Sequence, residues 1–233
     1  MNYAIIAAGD GSRLAQEGVA RPKPLVELKG ETMIDRLIRI FLANGATSIS
    51  IIVNEKMPEV ANHLRSLTLN IPLNIVETYT PSSMHSFYAL SEVMPKGKFC
   101  LTTVDTIFEE DEFSNFIQIF ESASDIAGLF AVTGFIDDEK PLYVKVDDND
   151  MIISFEDENY EGSKYISGGI YCLDDRSLPI LKNAIDSGNS RMRNYQRALV
   201  NSGLAITAYP FDKIIDVDHA ADIDTAIKML NLE

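Results

Sequence analysis

Tyr3-Ala-Ile-Ile-Ala-Ala-Gly-Asp-Gly-Ser-Arg-Leu14 is the stretch on which the fold turns. Its first half is a short apolar run without alternation, the pattern of a strand buried on both faces of a parallel sheet. Gly9 and Gly11 then let backbone N–H groups close around a phosphate, and Arg13 can add a charge-assisted bond. The third glycine of a dinucleotide-binding turn would fall at position 14, which is leucine, and no Gly-Lys-Ser or Gly-Lys-Thr follows. Neither a dehydrogenase fingerprint nor a P-loop is therefore present. For two glycines alone, an ordinary βα turn is the competing reading.

Further along, Met33, Ile34, Leu37, Ile38, Phe41 and Leu42 recur at helical spacing and stop at Asn44-Gly45. Residues 48–53 predict a strand, 58–67 a helix and 73–77 a third strand, which gives βαβαβ. A helix over 83–93, a strand over 98–104 and a helix over 111–122 continue the alternation. From Ile126 the rhythm changes. Residues 126–132, 142–146 and 151–155 read as consecutive strands, the last two joined by the polar turn Asp147-Asp-Asn-Asp150, and predict an antiparallel insertion. A strand over 164–173, helices over 175–186 and 191–201, a strand over 205–210 and a helix over 220–230 complete the chain. The expected fold is α/β: a three-layer αβα sandwich on a Rossmann-like, mostly parallel mixed sheet, with its binding crevice at the carboxyl ends of the first strands.

Composition narrows the function classes. Hydrophobic residues make up 46% and charged residues 24% of 233, a globular balance that excludes disordered and collagen-like chains. Thirty-five acidic against 20 basic side chains leave a net charge of −15, which repels nucleic acid and anionic membranes. The N-terminus enters a strand directly and lacks a secretory signal, and no apolar run approaches the roughly 20 residues of a membrane span. A cytoplasmic protein is expected, with Cys100 and Cys172 as inert core thiols.

Arg21-Pro-Lys-Pro-Leu-Val-Glu-Leu28 follows the glycine loop, and its two prolines stiffen the backbone around Lys23. The pair of motifs resembles the nucleotidyltransferase family that activates sugar phosphates and related esters, whose signature is Ala-Ala-Gly-x-Gly-Ser/Thr-Arg-Leu followed by Pro-Lys-Pro or Pro-Lys-Ala. The resemblance runs from end to end and implies the nucleotide-diphospho-sugar transferase type of fold. It also implies one domain over 1–233, with a nucleotide-binding half of about 1–110 and an acceptor half of about 111–233. Little room remains for an appended domain, so none is expected. By the same resemblance Ala7, Ala8, Gly9, Asp10, Gly11 and Ser12 hold the nucleotide, while Arg13 and Lys23 neutralise an NTP triphosphate. Ser83 and Ser86, in Thr80-Pro-Ser-Ser-Met-His-Ser86, stand where the family reads base or phosphates.

Asp105 lies just past a buried strand, on the side where the glycine loop opens, and is the expected ligand of Mg²⁺, a hard cation held by one or two carboxylates plus substrate phosphates. In Ile214-Ile-Asp-Val-Asp218, Asp216 and Asp218 alternate and point the same way in extended backbone. The family places its second metal carboxylate here; capping of the last helix is the other reading of Asp218. Acid runs 147–150 and 156–161 read as solvated turns. His63, His85 and His219 read as loop or helix-surface residues, and no Cys/His spacing suggests zinc.

On the acceptor side, Gly168 and Gly169 mark either close approach of a ligand or a bulge. Glu156 stands where many sugar-nucleotide enzymes carry Glu-Lys-Pro, but the next residue is Asp157. That leaves Lys145 or Lys164 for the acceptor phosphate. The expected partners are an NTP and a small phosphorylated acceptor, with a homo-oligomer left open. The leading reading is Mg²⁺-dependent transfer of a nucleoside monophosphate to a sugar phosphate with release of pyrophosphate. Beside it stand a cytidylyltransferase acting on choline phosphate or an alditol phosphate, a catalytically silent nucleotide-binding regulator, and a glycosyltransferase, which the cations Arg13 and Lys23 disfavour.

Overall fold

The computed structural model describes residues 1–136, 140–159 and 162–231. The apolar run becomes β1 (Asn2–Ala7), buried along its whole length. The glycine turn leads into α1 (Ser12–Gln16). A small antiparallel ribbon, β2 (Glu27–Leu28) with β3 (Glu31–Thr32), comes before α2 (Met33–Ala43), which Thr32 caps by accepting the Asp35 N–H. Then come β4 (Ser48–Val53), α3 (Pro58–Ser66), β5 (Leu73–Glu77), α4 (Ser83–Ser91) and β6 (Phe99–Thr103). After them lie β7 (Thr106–Phe108), α5 (Glu110–Ser122), β8 (Gly128–Thr133), β9 (Tyr143–Val146), β10 (Ile152–Glu156) and β11 (Tyr165–Leu173). The chain closes with α6 (Leu178–Asp186), α7 (Met192–Asn201), β12 (Ile206–Phe211), β13 (Ile214–Asp216) and α8 (Ala220–Leu230).

Strand β1 lies between β4 and β6, parallel to both, and β5 extends the sheet in parallel beyond β4. Alternation along β1 builds two cores. Tyr3, Ile5 and Ala7 face α2, α3, α5 and α8, whereas Ala4 and Ile6 face α4, α6 and α7. This is the three-layer αβα sandwich. In the first core Phe113 stacks with Phe108 at 4.8 Å and with Phe41 at 5.8 Å, and Phe41 stacks on Tyr3 at 4.3 Å. All four rings are buried. Phe113→Ala is therefore expected to cost about 3–5 kcal/mol by the cavity it opens, measurable as a lowered urea midpoint with an unchanged m-value.

The expected antiparallel insertion holds only for β9 and β10, which form a hairpin. Strand β8 is not part of it: it pairs antiparallel with β11 and parallel with β12. Long β11 runs antiparallel to β6 through residues 170–173 and meets β9 through residues 165–166. It thus joins the parallel half of the sheet to the mixed half. Cys100 and Cys172 are direct cross-strand neighbours there, both free and fully buried. No helix among the described residues is long and apolar enough to cross a membrane.

Candidate active site

A cleft of about 530 Å³ opens at the carboxyl ends of β1, β4 and β6. Ala7, Ala8, Gly9, Asp10, Gly11, Ser12, Arg13, Lys23, Ser83, Ser86, Asp105 and Asp218 all line it. The two halves of the signature meet at Gly11. Its φ of +59° favours glycine, and a Cβ there would lie 3.0 Å from the Lys23 Cβ. A single helical turn at Lys23–Leu25, preceded by Pro22, aims the lysine into the cleft.

Lys23 is only 9% exposed. Its Nζ donates to Asp218 Oδ1 at 2.7 Å and forms a short ion pair with Asp105, while Arg13 Nη1 donates to Asp218 Oδ2 at 2.8 Å. Burial pulls the Lys23 pKa down, but Asp105 and Asp218 outweigh it and hold the ammonium above its ordinary range. Burial would likewise raise Asp218, yet Lys23 and Arg13 hold its carboxyl below the usual range. The carboxylates come together because β13 pairs with β7, Asp216 opposite Thr106, and because the Val217 N–H donates to the Asp105 carbonyl at 3.0 Å.

Asp216 takes a different position. It lines a smaller adjoining cleft and accepts from Thr106 Oγ1 at 3.2 Å. The protein packed around its carboxyl, and then the charges of Asp105 and Asp218, push its pKa up to about 7, although the residue still meets solvent. Asp218 is not the helix cap. The Asp222 carboxylate accepts the N–H groups of Asp218 and His219, and Glu17 accepts that of Ala220. Among the described residues no three His, Cys, Asp or Glu side chains converge into a full metal cage. The donor set nevertheless fits a hard divalent cation, since Asp105 and Asp218 converge on one cationic centre and leave the remaining positions to phosphate oxygens.

The acceptor-side candidates lie outside the main cleft. Lys145, Lys164 and Glu156 line neither the main cleft nor the one beside Asp216. Asp157 is not a free turn residue, because it is clamped by Arg193 and by Arg197, the latter at 2.8 Å. Tyr160 and Glu161 of the same acid run lie outside the described residues. Gly169 has φ +76° within a register shift of β11, which is the bulge reading. Gly168 lines the smaller cleft, but a Cβ there would lie 2.3 Å from Ile214 Cδ1 and 3.2 Å from the Ala131 carbonyl. Close packing under β13 accounts for this glycine. Gly168→Ala is expected to cost about 1–3 kcal/mol in urea denaturation, part of it restored by adding Ile214→Val, which removes the clashing methyl.

The histidines are all engaged: His63 with Asp35, His85 with Ser82, His219 with Glu17. Ser83 faces the cleft, while the Ser86 hydroxyl is shared with Thr80 at 2.5 Å. Sequence reasoning missed Asn54 and Tyr79, which line the cleft just after β4 and β5. Tyr79 is 58% exposed, with Lys56 Nζ 5.1 Å from its ring centroid. The rule that ligands gather at carboxyl ends of parallel strands pointed to both loops.

A doubly wound sheet whose first βα loop, two cations and paired carboxylates share one crevice defines a nucleotide-handling α/β protein. Residues 3–223 match the family described as Nucleotidyl transferase, and the chain belongs to that family. A bifunctional IPC transferase and DIPP synthase of Rubrobacter xylanophilus is 27% identical over 215 residues, 88% of this chain and 46% of that protein. The chain spans about half the length of the curated relatives it matches. In three dimensions it resembles a putative glucose-1-phosphate thymidylyltransferase of Bacillus anthracis, with TM-score 0.85, 16% identity, 98% of this chain and 94% of that one covered. It also resembles the inositol-1-phosphate CTP transferase of T. maritima, with TM-score 0.78, 18% identity and 97% and 96% covered. The fold is that of the GT-A-like nucleotidyltransferases.

Proposed function

We propose that this protein transfers a nucleoside monophosphate from an NTP to the phosphate of a sugar phosphate or a similar phosphate ester, releasing pyrophosphate. The observation that carries the reading is Lys23, buried between Asp105 and Asp218 at the mouth of the glycine loop. An acceptor phosphate oxygen attacks the α-phosphorus; a new P–O bond forms as the bond to pyrophosphate breaks. Both reactants are anions, so their repulsion is the barrier to lower. Lys23 and Arg13 offset that charge in a partly dehydrated cleft, where fixed cations act more strongly than in water. The backbone of residues 8–12 holds the phosphates in line. The acceptor phosphate is ionised near neutral pH, so no side chain need take a proton, consistent with histidines that are all engaged elsewhere. Asp105 and Asp218 would hold Mg²⁺, with Asp216 behind them, and the cation when bound neutralises charge on the reacting phosphates.

Asp157 supports a second reading of the acceptor. A carboxylate clamped to two arginines stands where a free lysine would hold a hexose phosphate, which favours a smaller phosphate ester such as choline phosphate or an alditol phosphate, with CTP as donor. The test is pyrophosphate release with Mg²⁺, crossing the four NTPs and dTTP against hexose 1-phosphates, alditol phosphates and choline phosphate. Acceptor-dependent release with one pair is expected and would be abolished by EDTA. Silence across the panel, with NTP still bound, would replace the transferase by a nucleotide-binding regulator.

A further inference from the structure

Two hydroxyls link the main cleft to the smaller cleft beside Asp216. Thr103, the last residue of β6, lines the main cleft, and its Oγ1 lies 2.7 Å from Oγ1 of Thr106, fully buried at the start of β7. Thr106 Oγ1 in turn donates to Asp216 Oδ1. Counting protons fixes the direction of this relay. A carboxylate can only accept, and a hydroxyl has one proton to give. Thr106 commits its proton to Asp216, so at the 2.7 Å contact it must accept and Thr103 must donate. The Thr103 oxygen is left with lone pairs alone, half-buried on the floor of the cleft, and no other bond to it is made among the described residues. The bulge of β11 makes room for the pair: a Cβ at Gly169 would lie 3.2 Å from Thr106 Oγ1 and 3.9 Å from Thr103 Oγ1.

We propose that Thr103 is a specificity-determining residue for the acceptor, its oriented oxygen accepting a hydrogen bond from a hydroxyl of a polyol phosphate. The inference rests on the transfer reaction proposed above and names the class of acceptor within it. A sugar or alditol phosphate carries such a hydroxyl. The trimethylammonium of choline phosphate has no hydrogen to donate and would leave a dehydrated oxygen unpaired. Of the two small esters, the alditol phosphate therefore fits and choline phosphate does not. A ribose hydroxyl of the nucleotide shares this chemistry, and sheet order argues for the acceptor. Strand β6 lies between β1, whose loop meets the phosphates, and β11, whereas the cleft continues the other way past Asn54 to Tyr79 at the ends of β4 and β5. The nucleoside has that longer arm, which leaves the β6 side to the acceptor. Thr106 and Asp216 are positioning residues, because they act only by fixing the Thr103 rotor.

The test is equilibrium binding, followed in ¹H–¹⁵N spectra of the full chain at pH 8.5, where Asp216 is a carboxylate. Mg²⁺ is present with a saturating α,β-methylene analogue of whichever NTP binds most tightly, so that nothing turns over. Glycerol 3-phosphate and glucose 1-phosphate are the hydroxyl-bearing probes; propyl phosphate and choline phosphate have no hydroxyl. At least one of the first pair is expected to bind more tightly than both of the second. Thr103→Val should weaken that probe about three- to tenfold, the worth of one neutral hydrogen bond, and leave the hydroxyl-free probes within about twofold. Thr103→Ser, which keeps the oxygen, should restore most of the difference. Thr106→Val should lose part of the same selectivity although its side chain does not face the cleft, a change that a purely structural role would not produce. Urea midpoints of the variants show that they fold. No binding of any probe, no preference in the parent, or an equal loss for all probes in Thr103→Val would overturn the assignment. So would weakened binding of the NTP analogue in Thr103→Val, which would give the contact to the ribose. Pyrophosphate release from true NTPs reports the transfer reading separately. Selective binding without release would sink the transfer and leave Thr103 as the reader of a hydroxyl, whereas release with an acceptor indifferent to Thr103→Val would do the reverse.

Discussion

Asp105→Asn is expected to lower kcat by about 10²–10³-fold and to leave the affinity for metal-free NTP within a few-fold. Asparagine keeps the shape of the side chain and a neutral oxygen but removes the charge that Lys23 meets at the end of β6. The backbone tie that aligns the second carboxylate segment, from the Val217 N–H to the carbonyl of residue 105, survives the change. Loss of turnover without loss of binding is therefore the signature of a group that holds charge at the reacting phosphates. Steady-state pyrophosphate release, with NTP binding by calorimetry in EDTA, separates the two quantities. Retained turnover would show that Asp105 only anchors Lys23. The same substitution at Asp218 is expected to be milder, since that side chain is 44% exposed and shared with Arg13.

Lys23→Met is expected to cost a similar factor in kcat and, unlike Asp105→Asn, about 2 kcal/mol of stability near neutral pH. Methionine fills the buried stem's volume but leaves Asp105 and Asp218 facing one another, with Asp216 close behind and Arg13 offsetting part of their charge. The sign of the pH dependence follows. Repulsion raises the carboxyl pKa values in the folded state, so the native protein holds more protons than the unfolded chain and stability falls as pH rises. The deficit should be small well below pH 4, where the carboxyls approach full protonation in both states, and grow as pH rises through the carboxylate range toward neutrality. Millimolar Mg²⁺ should restore much of the loss, because a divalent cation can take the place of the ammonium. Urea midpoints across pH, with and without Mg²⁺, check this; a deficit independent of both would mean that Lys23 contributes packing alone.

The elements were legible to within a few residues wherever their cause is local. The apolar run at residues 3–8, the 3.6-residue period of α2 and the prolines around Lys23 each act on immediate neighbours, and the observed β1, α2 and lysine turn follow from them. The short ribbon of β7 and β13 was not legible. Each has three residues, and their partners lie more than a hundred positions apart, so no local pattern marks them. The same limit explains the acceptor side. Lys145 and Lys164 were the nearest cations in sequence to the missing lysine, whereas the arginines that meet Asp157 arrive from α7, 36 residues further on in the case of Arg193. Gly168 shows the converse. Its value as a small residue was visible, but whether ligand or protein fills the space depends on Ile214, which packs there only once β13 is in place.

Periodicity, turn residues and the two-part signature are properties of neighbouring residues, so the chain alone specified the alternating α/β order, the side of the sheet that carries the cleft and the placement of Arg13, Lys23 and Asp105 along it. Convergence is different in kind. Which carboxylate meets Lys23, that Asp216 stands behind Asp218, and that Asp157 is paired with arginines were decided by strand order and long-range pairing, because electrostatic contact depends on distance in space and the sequence carries only distance along the chain.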